Sequence, residues 1–427
     1  MIYIVKQGDS VFSIASAFGV SPERIIVDNG LYPPYNLCIN QALLILIPYI
    51  THTVQEGETL SAIAEKYSLS LNEILRKNYI LKGRDEIYPG QTIIISYKDE
   101  SRNYSILNNS YAYTFIGEDV LKSSLAYLSS IIPFTYGFTS EGELLTLDDE
   151  KILKLKNEYN LSSLLHLSTL NADGKFDNTL SSRLFENENA MRRLTDEINS
   201  TVKEKGFAGV EVDFEFVPLK DSLRYVDFLK MLKEALGNGL ILIVDLAPKS
   251  SDNQEGLLYE GHNYYELGNV ADYVFLMTYE WGYEYSRPMA IAPINNVNQV
   301  LKYSLTRIDP KKILLGIPNY AYNWPLPYIE GTTRARSLSN VEAIKIASEY
   351  RCEIIFDKIS KTPYFNYTDN EGTQREVWFE DPRSISEKLQ LVKNYGIAGI
   401  GIWNSMREFP SMWLQIATNF TISDYRD

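Results

Sequence analysis

The sequence predicts an α/β protein whose larger part is a parallel (β/α)8 TIM barrel, preceded by two small βααβ units. Three observations carry this prediction. A set of landmarks occurs twice in the first hundred residues, a polar stretch follows, and beyond it eight short apolar or alternating segments are separated by helix-like ones. A length of 427 residues suits two or three domains, and 45% hydrophobic with 22% charged residues is ordinary for a globular chain.

The repeat comes first along the chain. Val5, Gly8, Asp9, Ser10, Ile14, Ala15, Phe18, Ile25 and Asn29 recur as Val54, Gly57, Glu58, Thr59, Ile63, Ala64, Tyr67, Ile74 and Asn78, all at an offset of 49 residues. Gln41 and Gln91 match after a one-residue shift. Each copy reads strand, helix, helix, strand. Ser10 and Thr59 are placed to cap the first helices, Ser21 with Pro22 opens one second helix, and Ser70 with Glu73 forms a capping box for the other. ALLILI (42 to 47) and TIIIS (92 to 96) close the units as strands. The units are expected at 1 to 48 and 50 to 97, with the polar stretch 98 to 109 as a linker.

The barrel domain is expected over 110 to 427. Its eight strand-like stretches are SYAYTFI at 110, SIIPFTYGFT at 130, SSLLHLSTL at 162, FAGVEVDFEF at 207, LILIVDLAP at 240, DYVFLMTYEW at 272, KILLGIPNYAY at 312 and IAGIGIWNSM at 397. Helices are expected over 190 to 205, 222 to 236, 295 to 307 and 384 to 395, the last opened by a Ser384 and Glu387 capping box. Eight β-then-α units fit a barrel with its site at the carboxyl ends of the strands; a doubly wound sheet is the alternative. The stretch 323 to 380 is too long for one connection and reads as a small insertion after the seventh strand.

Composition excludes several functions. A formal charge of −14 without a basic run opposes a nucleic-acid partner. No apolar run approaches a membrane span, and MIYIVKQGDS lacks the basic and apolar regions of a classical secretion signal. Cys38 and Cys352 define neither a disulfide framework nor a thiolate metal site. His52, His166 and His262 show no metal-ligand spacing and read as structural, so no metal and no cofactor is expected. The 31 tyrosines suit sugar-stacking surfaces and equally suit a tyrosine-tolerant core.

The most informative segment is GVEVDFEF. Its alternation puts Glu211, Asp213 and Glu215 on one side of a strand, which in a barrel is the interior. Burying three carboxyls together is costly unless they share protons or meet cations. Close like charges raise at least one carboxyl pKa and keep a proton available for general-acid work. Glu215, nearest the carboxyl end of the strand, is best placed to meet a substrate. A cation site is the competing reading, but no neighbouring His or Asn cluster in the sequence completes a coordination shell.

This strand resembles the DxxDxDxE signature of glycoside hydrolase family 18. Aligned on the last acid, the pattern falls on Ala208, Glu211, Asp213 and Glu215, so the final DxE is intact and the two earlier acids are replaced. MTYEW resembles that family's MxYD motif, with Met277 and Tyr279 in place and Glu280 standing for Asp, and Trp403 resembles its sugar-floor tryptophan. The two N-terminal units resemble LysM domains, which bind chains containing N-acetylglucosamine; the alternative is a packing unit without ligand. Overall the chain resembles the bacterial spore cortex-lytic N-acetylglucosaminidases, including the APKSSDNQEG, PYFNY and EVWFEDPRS stretches.

The resemblance implies a retaining, substrate-assisted glycosidase in which the sugar's own acetamido oxygen is the nucleophile. It implies Glu215 as acid and base, Asp213 as the group orienting the acetamido, Tyr279 as its hydrogen-bond partner and Trp403 as the apolar floor. Glu211, Met277, Glu280, Tyr136 and Tyr320 are the remaining candidates for substrate contact. The implied partners are peptidoglycan glycan strands or cortex fragments, the implied place is the spore, and the expected state is a monomer, with the LysM units as a modular wall anchor. The alternatives are a chitinase-like endo-glycosidase and a non-catalytic wall-binding coat protein.

Overall fold

The computed structural model describes residues 1–98, 100 and 102–425. Of the expected linker, residues 99 and 101 lie outside the described residues. The strand expected from 110 begins at Ser105.

The eight barrel strands are Ser105–Tyr113, Ser130–Phe134, Leu165–Ser168, Gly209–Asp213, Ile241–Leu246, Tyr273–Leu276, Ile313–Pro318 and Gly399–Trp403. Parallel ladders join one to two, each neighbour from three to eight, and eight back to one. Between two and three the ring closes through the parallel bridges Ser130 to Ser162 and Tyr136 to Leu167. The sequence therefore folds as a barrel and not as a doubly wound sheet.

Alternation along these strands sorts the core into two layers. Val210, Val212, Leu242, Val244, Val274 and Leu276 face outward and pack with the surrounding helices. Leu107, Ile132, Leu164, Ile243, Phe275 and Leu314 face inward and fill the lower interior as a separate apolar tier. Two inward positions must be small. A Cβ at Gly401 would lie 2.4 Å from the Phe275 ring, and one at Gly316 would lie 2.9 Å from the Tyr279 ring.

After the seventh strand, Ala321–Leu326, Arg336–Leu338, Ile355–Asp357, Thr362–Thr368 and Gln374–Trp378 form an antiparallel sheet with helix Asn340–Glu349 and a core of its own. The following helix, Pro382–Tyr395, is not capped as the sequence predicts. Asp381 is its N-cap, and Ser384 supplies the reciprocal bond at the third helical position, because Pro382 already fits the first.

The two N-terminal units share their internal devices. Asn29 and Asn78 each tie their second helix to the closing strand: the Asn29 amide donates to Leu44 O (3.0 Å) and its oxygen accepts from Leu44 N (2.7 Å), while Asn78 makes the equivalent pair with Ile94 at 2.8 Å. Gln41 and Gln91 accept from the backbone of Cys38 and Tyr88. Tyr3 bonds Asp9 as His52 bonds Glu58, which gives His52 a structural place.

Their surroundings differ. The first unit keeps a separate core around Val5, Ile14, Ile25 and Leu43. The second has none: Leu60, Ile63, Ile74 and Tyr79 belong to the same continuous cluster as Tyr127, Leu128 and Trp413 of the barrel domain. Across the junction of the first unit with the insertion, Ile354 N donates to Ile39 O (3.0 Å), and Cys38 sits in the insertion's core with Cys352 packed against it.

Candidate active site

The carboxyl ends of the strands enclose a cavity of about 350 Å³. Its wall includes Asp213, Glu215, Met277, Tyr279, Glu280 and Trp403, six of the nine residues singled out in the sequence.

Strand four delivers the acids as alternation requires. Glu211 is deepest, fully buried, and accepts a 2.5 Å hydrogen bond from Tyr111 Oη. It stands below the cavity rather than in its wall, so it is not a sugar contact. Asp213 is buried above it, and Glu215 is half-buried just past the strand end. Phe216, at φ 56°, turns the chain away immediately afterwards and lines the cavity as well.

Two groups join these acids that sequence reasoning did not place there. Asp245 on strand five and His166 on strand three are both buried and both face the cavity. His166 Nε2 lies 3.6 Å from Asp245 Oδ2 and 4.0 Å from Asp213 Oδ2. Its Nδ1 is 2.8 Å from Thr135 Oγ1, which fixes the ring. The sequence reads His166 as structural and without metal-ligand spacing; the structure brings it against two acids of the cavity. A nitrogen and two carboxylate oxygens lie within 4.8 Å of one another, a donor set that a divalent cation could use.

The electrostatics follow from this crowding. Burial raises the carboxyl pKa of Glu211, Asp213 and Asp245 well above the ordinary range, and their mutual repulsion adds to it. Burial also raises Glu215. His166 is pushed down to about 4 by burial, so it is neutral near pH 7 and supplies no cation. Asp213 Oδ1, Asp245 Oδ1 and Glu211 Oε2 are buried without a hydrogen-bond partner. The interior is therefore an acid cluster that holds protons.

The aromatic wall comes from the strand ends. Trp403 is braced edge-on by Phe134 (ring centroids 4.7 Å apart) and by Tyr111 at 5.4 Å. Tyr279 rises from strand six over Gly316, the position that admits its ring. Glu280, at φ 63°, stands exposed on the rim and accepts from the hydroxyls of Tyr320 and Tyr322.

Tyr320 lines an adjoining cavity rather than the main one. Tyr136 is elsewhere. Thr135 takes the inward place beside His166, so Tyr136 turns outward, where its hydroxyl bonds Asp149 and accepts from Lys205 Nζ at 2.9 Å. It is a core residue, not a sugar contact. His262 is also structural: its Nδ1 accepts from Ala247 N at 3.1 Å and its Nε2 lies 3.1 Å from Phe214 O, steadying the backbone between Asp213 and Glu215. No helix among the described residues is long and apolar enough to cross a membrane.

Comparison with known proteins places this geometry. The family model of glycosyl hydrolases family 18 matches residues 94–408, and the LysM domain model matches 3–45 and 52–96. The chain is 33% identical over 431 aligned residues to a cortical fragment-lytic enzyme of Bacillus anthracis, covering 99% of each. It is 32% identical to a putative sporulation-specific glycosylase, YdhD, of Bacillus subtilis, covering 97% of each. Among solved structures, the Bacillus megaterium spore cortex-lytic enzyme SleL superposes with a TM-score of 0.83 at 32% identity, covering 99% of this chain and 98% of that one. A chitinase from Chromobacterium violaceum shares the fold at 22% identity and a TM-score of 0.68, covering 74% of this chain and 99% of its own.

Proposed function

The chain belongs to the glycosyl hydrolases of family 18, and we propose that it hydrolyses spore-cortex peptidoglycan, cleaving after N-acetylglucosamine. The observation that carries this reading is that Asp213 and Glu215 line one cavity with Tyr279 and Trp403, in a chain that resembles cortical fragment-lytic enzymes over its whole length.

Glu215 is the acid and base. Burial raises its pKa and so favours the protonated form, which can give its proton to the glycosidic oxygen. As the bond to the leaving sugar breaks, the acetamido carbonyl oxygen of the bound N-acetylglucosamine closes on the anomeric carbon and forms an oxazolinium ion. Glu215, now ionised, takes a proton from water, and the hydroxide opens the ring and restores the original configuration.

Asp213 serves the cation. In the resting site burial, and then the neighbouring Glu215 and Glu211 carboxyls, raise its pKa well above the ordinary range and favour the protonated form. A positive oxazolinium beside it favours the carboxylate, so its charge appears when the transition state needs it. His166, neutral, lies 4.0 Å from Asp213 and 3.6 Å from Asp245, and its ring packs the two acids in place. Tyr279 donates to the acetamido oxygen, and Trp403 supplies the floor on which the sugar ring rests.

Glu215→Gln is expected to lower kcat by several orders of magnitude with folding unchanged, since shape and hydrogen-bonding capacity are kept. NMR of freshly released product reads the stereochemistry: β-anomer of reducing N-acetylglucosamine is expected. Initial α-anomer would exclude substrate assistance. Products ending in muramic acid or its anhydro form would make the enzyme a muramidase or a lytic transglycosylase.

A further inference from the structure

Three cavities follow one another across the face of the molecule. The catalytic one shares Tyr113, Glu280 and Trp403 with a second of about 300 Å³. The second shares Met406 and Arg407 with a third of about 510 Å³, which is walled by the first LysM unit at Gly30 to Tyr32, by Lys82, and by the insertion at Ser339 to Glu342. The path thus runs from the catalytic acids, over the loop after strand eight, to the first LysM unit.

Its chemistry narrows the occupant. Aromatic faces recur along it: Trp403 and Tyr113 at the start, Tyr322 in the middle, and Tyr32 at the far end with 47% of its surface exposed. The two cations at its outer part are engaged within the protein. Lys82 Nζ lies 2.9 Å from Glu408 Oε1, and Arg407 is drawn by Glu342 while its guanidinium donates to Leu338 O. With those cations engaged, the aromatic faces and the nearby hydroxyls and amides suit a neutral, extended polymer of sugars.

The walls are held firmly enough to keep the path open. Ser348 Oγ donates to Asn36 O, and Asn40 bonds Glu353, so the loop carrying Tyr32 is fastened to the insertion. The equivalent loop of the second LysM unit is differently used. Tyr159 Oη donates to Gly83 O at 2.5 Å and Arg84 pairs with Asp119, so that loop is spent on docking to the barrel.

We propose that these cavities form one glycan-binding groove, in which a single N-acetylglucosamine-containing strand lies on Tyr32 of the first LysM unit and passes by Arg407 into the catalytic pocket. On this view the first LysM unit supplies distal sugar subsites of the active cleft and is not a tether acting independently of it. The inference rests on the catalytic reading above for its inner end only.

Full-length Glu215→Gln protein, which binds without cleaving, provides the test by calorimetric titration with N-acetylchitobiose and N-acetylchitohexaose. The hexamer is expected to bind at one per protein and at least tenfold more tightly than the dimer. Adding Tyr32→Ala, at an exposed position whose ring meets the Lys345 ammonium at 5.4 Å, is expected to remove most of that gain while leaving dimer affinity and the melting temperature at the parent values. Hexamer affinity unchanged by Tyr32→Ala, or two hexamers bound independently, would overturn the groove. Failure of both oligomers to bind would overturn the reading of the catalytic pocket, and the groove with it.

Discussion

The two LysM units carry the same landmarks at a constant offset, yet they are energetically different objects. Ile25 and Ile74 are equivalent in sequence and both are buried. Ile25 closes a small core that belongs to the first unit alone, whereas Ile74 is part of the cluster that continues through Tyr79 and Tyr127 to Trp413. Equal patterns of apolar residues therefore yield an attached module in one case and an integral layer of the enzyme in the other. What decides is the outer surface of each unit, which the repeat does not constrain.

Removing whole units is the severest way to break this contrast. Deletion of residues 1 to 97 is expected to expose Tyr127 and the helix Pro410–Asn419, giving an aggregating protein without a cooperative thermal transition. Deletion of residues 1 to 47 is expected to leave a folded barrel with weakened retention on insoluble wall. Calorimetry and size-exclusion profiles of the two proteins decide between this picture and a modular anchor. The anchor predicts that both deletions fold.

Point substitutions sharpen the same comparison. Ile74→Ala is expected to cost about 2–5 kcal/mol in the main unfolding transition, the usual range for truncating a buried isoleucine. Ile25→Ala should cost a similar amount but in a separate, lower transition confined to the first unit. Hydrogen exchange resolves the two: loss of protection across the barrel in both variants would erase the distinction.

A smaller effect is expected from pH. Asp245 is raised far above its unfolded value, so its neutral form contributes stability that is full below the unfolded carboxyl range and is lost as pH rises. Asp245→Asn should therefore raise the melting temperature relative to the parent at pH 8 more than at pH 4. His166 acts on the opposite side: with its pKa lowered from 6.5 to about 4, its contribution is lost as pH falls through that window. The smallest effect belongs to the link between the units. Arg24→Met removes the bonds to Tyr97 Oη and Lys77 O and strands Asp28, whose pKa stands at about 6. A loss of about 1–3 kcal/mol is expected, and denaturant titration reads it.

Much of this was legible in the residues. Eight apolar stretches gave eight strands because inward and outward positions alternate in phase, and the same phase put Glu211, Asp213 and Glu215 on the interior. Asp245 and His166 carried the same kind of signal, a single polar residue at an inward position of an apolar strand. What sequence could not supply is that strands three, four and five bring the three side chains to within a few ångströms. Tyr136 was misread because the alternation lapses at Thr135, which takes the inward place itself. The union of the second LysM unit with the barrel left no mark, since Leu60, Ile63 and Ile74 look the same whether they face their own unit or a neighbour.

The apolar tier beneath the acids has a consequence for bookkeeping of protons. Among the described residues, Leu107, Ile132, Leu164, Ile243, Phe275 and Leu314 form an apolar layer below the acids, while Asp213 and Asp245 open onto the cavity above. Any proton exchanged by these buried acids therefore travels by way of the cavity that also holds Glu215, and not through the base of the barrel.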